Sequence, residues 1–352
     1  MDRRDRIKKR SIVLPEACVS FFILFILSIP VNFFFFALSV GAQEQAREAG
    51  ALLPVRQNGK WGYVNRKGEI AIPLQYDDAW DFSEGLAYVR LGSKRSVIDR
   101  TGRVRVELQQ VDFAGRFSEG LASVQTSGPN PRRGFIDREG RLVIAPQFDM
   151  VESFEGGLAV VMTDRKYGYV DKTGKIVIPL RFDKAFNFHE GLALVVMDNR
   201  HGFIDRKGKI VIRPQYFNAF HFSEGLANVK VGDKYGYINK AGKVVIEPRF
   251  YYAGTFREGL AVVILDNKFG YINKKAEIVI PAQFDWSQGF SEGLALVKVG
   301  GKYGYVDQTG KLVIPAQFDK ALDFSDGVAK VWTGGKMGYI DKTGSYIWKP
   351  AK

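Results

Sequence analysis

Histidine and cysteine, the usual proton shuttles, nucleophiles and soft metal ligands, are scarce in this chain: His189, His201, His221 and Cys18 are all it has. The histidines fall at different phases of a sequence repeat, where sibling copies carry Ser, an aromatic or a variable residue, so they are expected to be lone surface substitutions with no shared site. Cys18 lies in an apolar N-terminal run without the small residues that precede a lipidated cysteine, and it leaves the rest of the chain without disulfide or thiolate chemistry. Asp307-Gln308-Thr309-Gly310 and its siblings lack the further carboxylates of a calcium loop and suit turn capping. Gly-Lys steps such as Gly174-Lys175 lack the frame and the following helix of a phosphate loop. No catalytic residue, metal site or cofactor is expected, and an enzyme is the least supported class.

Charge is the more promising chemistry. The chain carries a formal net charge of +13. Lys60, Lys166, Lys234, Lys268, Lys302 and Lys336 each precede an aromatic-Gly pair or its variant, and Arg66, Arg138, Lys172, Arg206, Lys240, Lys274 and Lys342 follow the Asp or Asn of the next turn. Stacked copies would align these into basic ridges, with Glu84, Glu119, Glu190, Glu224, Glu258, Glu292 and Asp326 in an acidic row elsewhere. Such ridges attract anionic polymers. The competing account is that strand-end lysines keep sheet edges from pairing with other molecules. Trp61, Phe135, Tyr167, Tyr235, Phe269 and Tyr303 recur inside strands, which suits packing between copies, with a sugar-facing ladder as the alternative.

The elements that must position these residues are set by a ruler, Phe-x-Glu-Gly-Leu-Ala and its variants. Its glycines are Gly85, Gly120, Gly157, Gly191, Gly225, Gly259, Gly293 and Gly327, and from Gly157 onward every step is 34 residues. A fixed period of this size denotes one supersecondary unit repeated, each copy burying its apolar face against its neighbours. After Gly293 the runs Leu294 to Val299, Tyr303 to Asp307 and Lys311 to Pro315 are rich in Val, Ile and Tyr and separated by Gly turns, which predicts a β-meander. The segment from Ala316 to Phe324 then crosses to the next joint. Counting this way gives nine three-stranded units. Because they start and stop at the same phase, with no blade shared between the ends, the expected fold is an all-β open solenoid or superhelix. A closed, propeller-like ring is the alternative.

The phrase Lys60-Trp61-Gly62-Tyr63-Val64-Asn65-Arg66-Lys67-Gly68-Glu69-Ile70-Ala71-Ile72-Pro73, followed by Gln75-Tyr76-Asp77-Asp78-Ala79 and Phe82-Ser83-Glu84-Gly85-Leu86-Ala87, resembles the WG-repeat (KWG repeat) family over residues 51–350. That resemblance implies a bacterial, often exported repeat protein with a binding role and no catalytic residues. The pattern breaks at Arg95-Ser96-Val97, at Arg103 to Glu107, and in a longer connection from Gln125 to Arg133. Breaks in a consensus are candidate binding positions. The candidate surface is therefore Arg95, Arg103, Arg105, Arg132, Arg133, Lys166, Lys234 and Lys302.

The first 42 residues speak to destination. Arg3, Arg4, Arg6, Lys8, Lys9 and Arg10 precede an apolar run from Ala17 to Val40, and Val40-Gly41-Ala42 suits signal peptidase. A signal peptide cleaved after Ala42, or an inner-membrane anchor over 17–40, both place the repeats outside the cytoplasm, in the periplasm or beyond. Residues 43–50 read as a linker and 51–352 as the repeat array. The expected function is a non-catalytic scaffold binding a protein or an anionic or glycan polymer of the cell envelope, with a structural spacer as the rival. Nucleic acid is not an expected partner, and membrane contact is expected only through the N-terminal segment.

Overall fold

The computed structural model describes residues 52–108 and 111–349. The expected signal peptide or anchor and the linker lie outside the described residues. Among those described, no helix is long and apolar enough to cross a membrane.

The described chain forms nine small antiparallel sheets in sequence order. Blade 5 shows the pattern, with strands Lys184–His189, Leu192–Met197, Arg200–Asp205 and Ile210–Tyr216 hydrogen-bonded in that order. The first of these was expected to be a mere crossing segment. It pairs instead with the second strand, through Lys184 opposite Val196 and Ala185 opposite Val195, then bulges before Phe188 meets Ala193. Blade 7 keeps this contact as two isolated bridges, Ala253 with Val263 and Arg257 with Leu260, and blade 1 has three strands among the described residues.

First strands of neighbouring blades touch one another. The Ser83 hydroxyl donates to the Phe117 carbonyl at 2.6 Å, and Arg257 reaches past Gly289 of the next blade to Asp323 of the one after, at 3.9 Å. Contacts that skip a blade are possible only near a common axis, so the first strand is innermost and the fourth forms the rim.

The expected open solenoid is overturned: the blades close into a ring, a β-propeller. At most seams an aromatic ring of one blade packs on the Phe of the next joint, as in Tyr169 on Phe188 and Tyr305 on Phe324, with centroids 5.0 and 4.7 Å apart. Where that residue is tyrosine, its hydroxyl donates to a carbonyl of the next blade's first strand. Tyr63 reaches Trp80, Tyr169 reaches Phe186, Tyr237 reaches Gly254 and Tyr305 reaches Leu322, all at 2.7 to 2.8 Å. Tyr339 of blade 9 donates at 3.0 Å to the carbonyl of Pro54 in blade 1, which pairs with Tyr63 and so belongs to the equivalent of a second strand. Val55, Val64, Val328 and Tyr339 bury together around it. Equal phase at the two ends argued for an open array only if closure needs a shared blade. Here the last blade docks directly on Leu53–Gln57 of the first, with no first strand between them among the described residues.

The aromatic-Gly phrase also has a packing cause. In blade 6, Tyr235 and Tyr237 of the third strand face Phe250 and Ile246 of the fourth, two residues against four, so the fourth strand bulges. A Cβ on Gly236 would lie 2.5 Å from the Ile246 carbonyl oxygen. In blade 2, Ser96 and Val97 pair in step with Glu107 and Val106, and no such bulge crowds Ser96. The two departures from consensus in that unit are therefore one compensated change.

Two outcomes follow. Tyr339→Phe should lower unfolding free energy by about 1 kcal/mol, as much as Tyr305→Phe, in denaturant melts; a silent Tyr339→Phe would contradict ring closure. Gly236→Ala should cost about 1–3 kcal/mol by overpacking, whereas Ser96→Ala should stay within about 0.5 kcal/mol.

Candidate binding face

Each blade presents its joints and turns on two opposite faces. On one lie the first-to-second joints and the third-to-fourth turns. There Glu119 accepts from the Gly157 amide at 2.9 Å, and Lys172 bonds both its carboxylate and its carbonyl at 3.0 Å. Lys240 with Glu190, Lys274 with Glu224 and Lys342 with Glu292 repeat this. The acidic row and one basic ridge are thus interleaved parts of a single ring. Burial pulls the Glu119 carboxyl upward, but Lys172 and the Gly157 amide outweigh it and hold it below the usual range. The third-to-fourth turns are capped as expected, with Asp307 accepting from the Thr309 and Lys311 amides at 2.9 and 3.1 Å.

The other face carries the second-to-third hairpins and the blade-to-blade connections. Lys60 meets Asp77 at 2.6 Å, Lys166 meets Asp183 at 2.6 Å, and Lys302 meets Asp319. Each aspartate also accepts from a hairpin amide of its own blade, as Asp183 does from Asp198 at 2.8 Å. Hydrogen bonding from Lys166 holds the Asp183 carboxyl below its ordinary value. Lys234 finds Tyr251 where its siblings find aspartate and lies 3.0 Å from the ring centroid. These lysines are seam contacts rather than a free basic ridge.

The candidate residues separate accordingly. Arg95, Arg132, Arg133, Lys166, Lys234 and Lys302 start third strands or end hairpins on this second face. Arg132 pairs with Asp149, and Arg133 donates to Gln125 at 3.1 Å. Arg103 and Arg105 belong to the opposite face, at the turn into and within the fourth strand of blade 2, where Arg105 lies 3.8 Å from Asp99.

Two cavities open on the hairpin face. One, of about 460 Å³, is lined by Trp61, Trp80, Tyr88, Arg90, Arg95 and Phe113 of blades 1 to 3. The other, of about 580 Å³, spans blades 4 to 6 and gathers Tyr167, Phe186, Phe220 and all three histidines. His189 and His221 stack with centroids 4.2 Å apart and planes at 31°. The expectation of scattered histidines with no shared site is corrected here. First-strand His189 and His221 meet across the seam, while third-strand His201 lines the same cavity level with Lys184, at the other end of the first strand. The sequence did hold a signal: first-strand positions vary most between units, reading Asp78, Phe113, Met150, Lys184, Asn218, Tyr252, Trp286 and Lys320 at one phase. Of the repeated aromatics, Phe135 and Tyr235 are buried, while Trp61 and Tyr167 line the cavities. Among the described residues no group of three or more His, Cys, Asp or Glu is placed to hold a metal ion.

The repeat signature and the ring agree with what the chain is similar to. The WG containing repeat matches residues 61–94, 96–128, 134–167, 167–200, 202–235, 235–269, 269–303 and 303–336. The chain belongs to the WG-repeat family. No curated protein matches it. Among solved structures it is similar to a eukaryotic initiation factor, at 14% identity over 84% of this chain and 94% of that one, with a TM-score of 0.60. It is similar also to BamB from Moraxella catarrhalis, at 13% identity over 74% and 92% with a TM-score of 0.42. At this identity the first likeness bears on the fold alone.

In this WG-repeat propeller the histidine cavity is sensitive to acid. Burial lowers the pKa of His201, against the pull of the Tyr216 backbone, and burial, His189 and Arg257 lower that of His221. The unfolded chain, with the ordinary value of 6.5, takes up these protons first. Stability present above that pH is therefore lost as pH falls through the folded values. The double variant His201→Gln/His221→Asn should lose less thermal stability between about pH 7.5 and 5.5 than the parent; equal losses in calorimetric scans would contradict this.

Proposed function

We propose that this WG-repeat propeller is a non-catalytic, extracytoplasmic scaffold that binds a protein or a glycan polymer of the cell envelope through its hairpin face. The observation that carries the reading is the partition of residues. Many of the repeated charges pair with one another on both faces, while unit-specific aromatic, amide and imidazole groups collect around two cavities along the innermost strands. A surface that differs from blade to blade suits selective recognition, whereas a spacer needs only uniform seams. The basic N-terminal residues and the apolar run before Ala42 support export.

Neutralisation of the lysines also shifts the mode of recognition. Paired surface charges contribute little long-range field, so aromatic stacking and hydrogen bonding outweigh attraction for anions. Capture of a partner from envelope extract by the purified protein should change less than about threefold between 0.1 and 0.5 M salt. It should fall about tenfold or more in Trp80→Ala/Phe186→Ala. Failure to capture any partner, or capture abolished by salt, would overturn the reading.

A further inference from the structure

We infer that the cavity between blades 4, 5 and 6 binds a neutral sugar unit. The inference rests on the binding reading above and gives its ligand class. At about 580 Å³ the cavity is within the roughly 300–1,000 Å³ of small-molecule sites. Its walls combine two kinds of group that a pyranose needs together.

The first is an aromatic face for the C–H side of the ring. Phe186 is 43% exposed although its strand is innermost, and its carbonyl is held at 2.8 Å by the Tyr169 hydroxyl, which fixes its backbone in place. Phe220 and Tyr167 stand beside it in the same cavity. Planar rings of this kind offer large contact area at little entropic cost.

The second is a dense rim of groups that donate and accept at short range. Asn187 and Asn218 supply amides, and Asn218 is oriented by a 3.1 Å bond to the Tyr235 hydroxyl. His201 also lies in the cavity wall. A neutral imidazole carries one donor and one acceptor, which matches a hydroxyl that both gives and takes a proton. An apolar plug would leave the cavity-facing amides unsatisfied, at a free-energy cost for each. Lys184 and Glu152, of opposite charge, stand on the same wall, so no net charge there selects an anion. The combination of open aromatic face, amide-bearing wall and balanced charge fits an uncharged, hydroxyl-rich ligand.

The test titrates the full-length protein at pH 7.5 with glucose, galactose, mannose, N-acetylglucosamine and their neutral disaccharides, read by ligand-observed NMR and calorimetry. At least one series should bind with a Kd of about 10 mM or tighter. Phe186→Ala and Asn187→Ala should each weaken that binding about tenfold or more. Lys207→Ala, an exposed change on the opposite face, should leave it unchanged, and melting curves should show all variants folded. Absence of binding by the whole panel, binding that survives Phe186→Ala in a folded variant, or preference for uronic or sialic acids would overturn the inference. So would binding of tryptophan- or tyrosine-bearing peptides in place of sugars. Should the sugars fail while envelope capture still depends on Trp80 and Phe186, the sugar assignment falls and the binding reading stands.

Discussion

Most blades pack a single aromatic ring against the neighbouring blade, and the closed ring of blades depends on that contact. A lone blade has one layer of apolar side chains and no second layer to cover it. The seam supplies the second layer: Tyr169, Ile178 and Phe182 of blade 4 bury with Ala185, Phe188 and Val195 of blade 5 in one cluster. The tyrosine hydroxyl then fixes the angle between sheets, because its acceptor is a main-chain carbonyl that cannot move independently of the strand. Repetition of this geometry brings blade 9 back to blade 1, where Tyr339 donates to Pro54 of the second-strand equivalent.

The charged residues belong to this seam economy rather than to a surface field. Lys166 and Asp183 sit in different blades, as do Lys172 and Glu119, so each pair stitches neighbours at one face. All are partly exposed, and each alone is worth little in water. Their role is alignment, repeated at many seams, and its by-product is a molecule in which many of the repeated cations are already occupied. What remains for recognition is the variable content of the innermost strands.

Much of this was legible in the sequence. The ruler of glycines located the joints, Asp307 and its siblings marked capped turns, and the Val, Ile and Tyr runs gave the second to fourth strands. Closure was not legible, because curvature is set by the angle at the seam, which no single repeat encodes as a pattern of residue types. The innermost strand escaped for a related reason. In several blades it pairs over only two residues, as Asn218–Ala219 does, and its polar members face the axis rather than alternating over a long run. The histidine cavity was hidden because residues at three different repeat phases meet only once strands pair and blades pack. Arg95 and Ser96 were visible as a break, but its cause, the missing bulge in the fourth strand, needed the register of Ser96 against Glu107.

The seam is not uniform. Val97, Phe135 and Phe203 occupy the tyrosine position in blades 2, 3 and 5 and carry no hydroxyl to give. Both cavities straddle such a seam, one between blades 2 and 3, the other between blades 5 and 6. In mechanical terms the ring is a closed belt with a few unfastened links, and its pockets lie across two of them. A ligand in either pocket would fasten the belt where it is slackest, so occupancy would be felt as tension around the whole circumference.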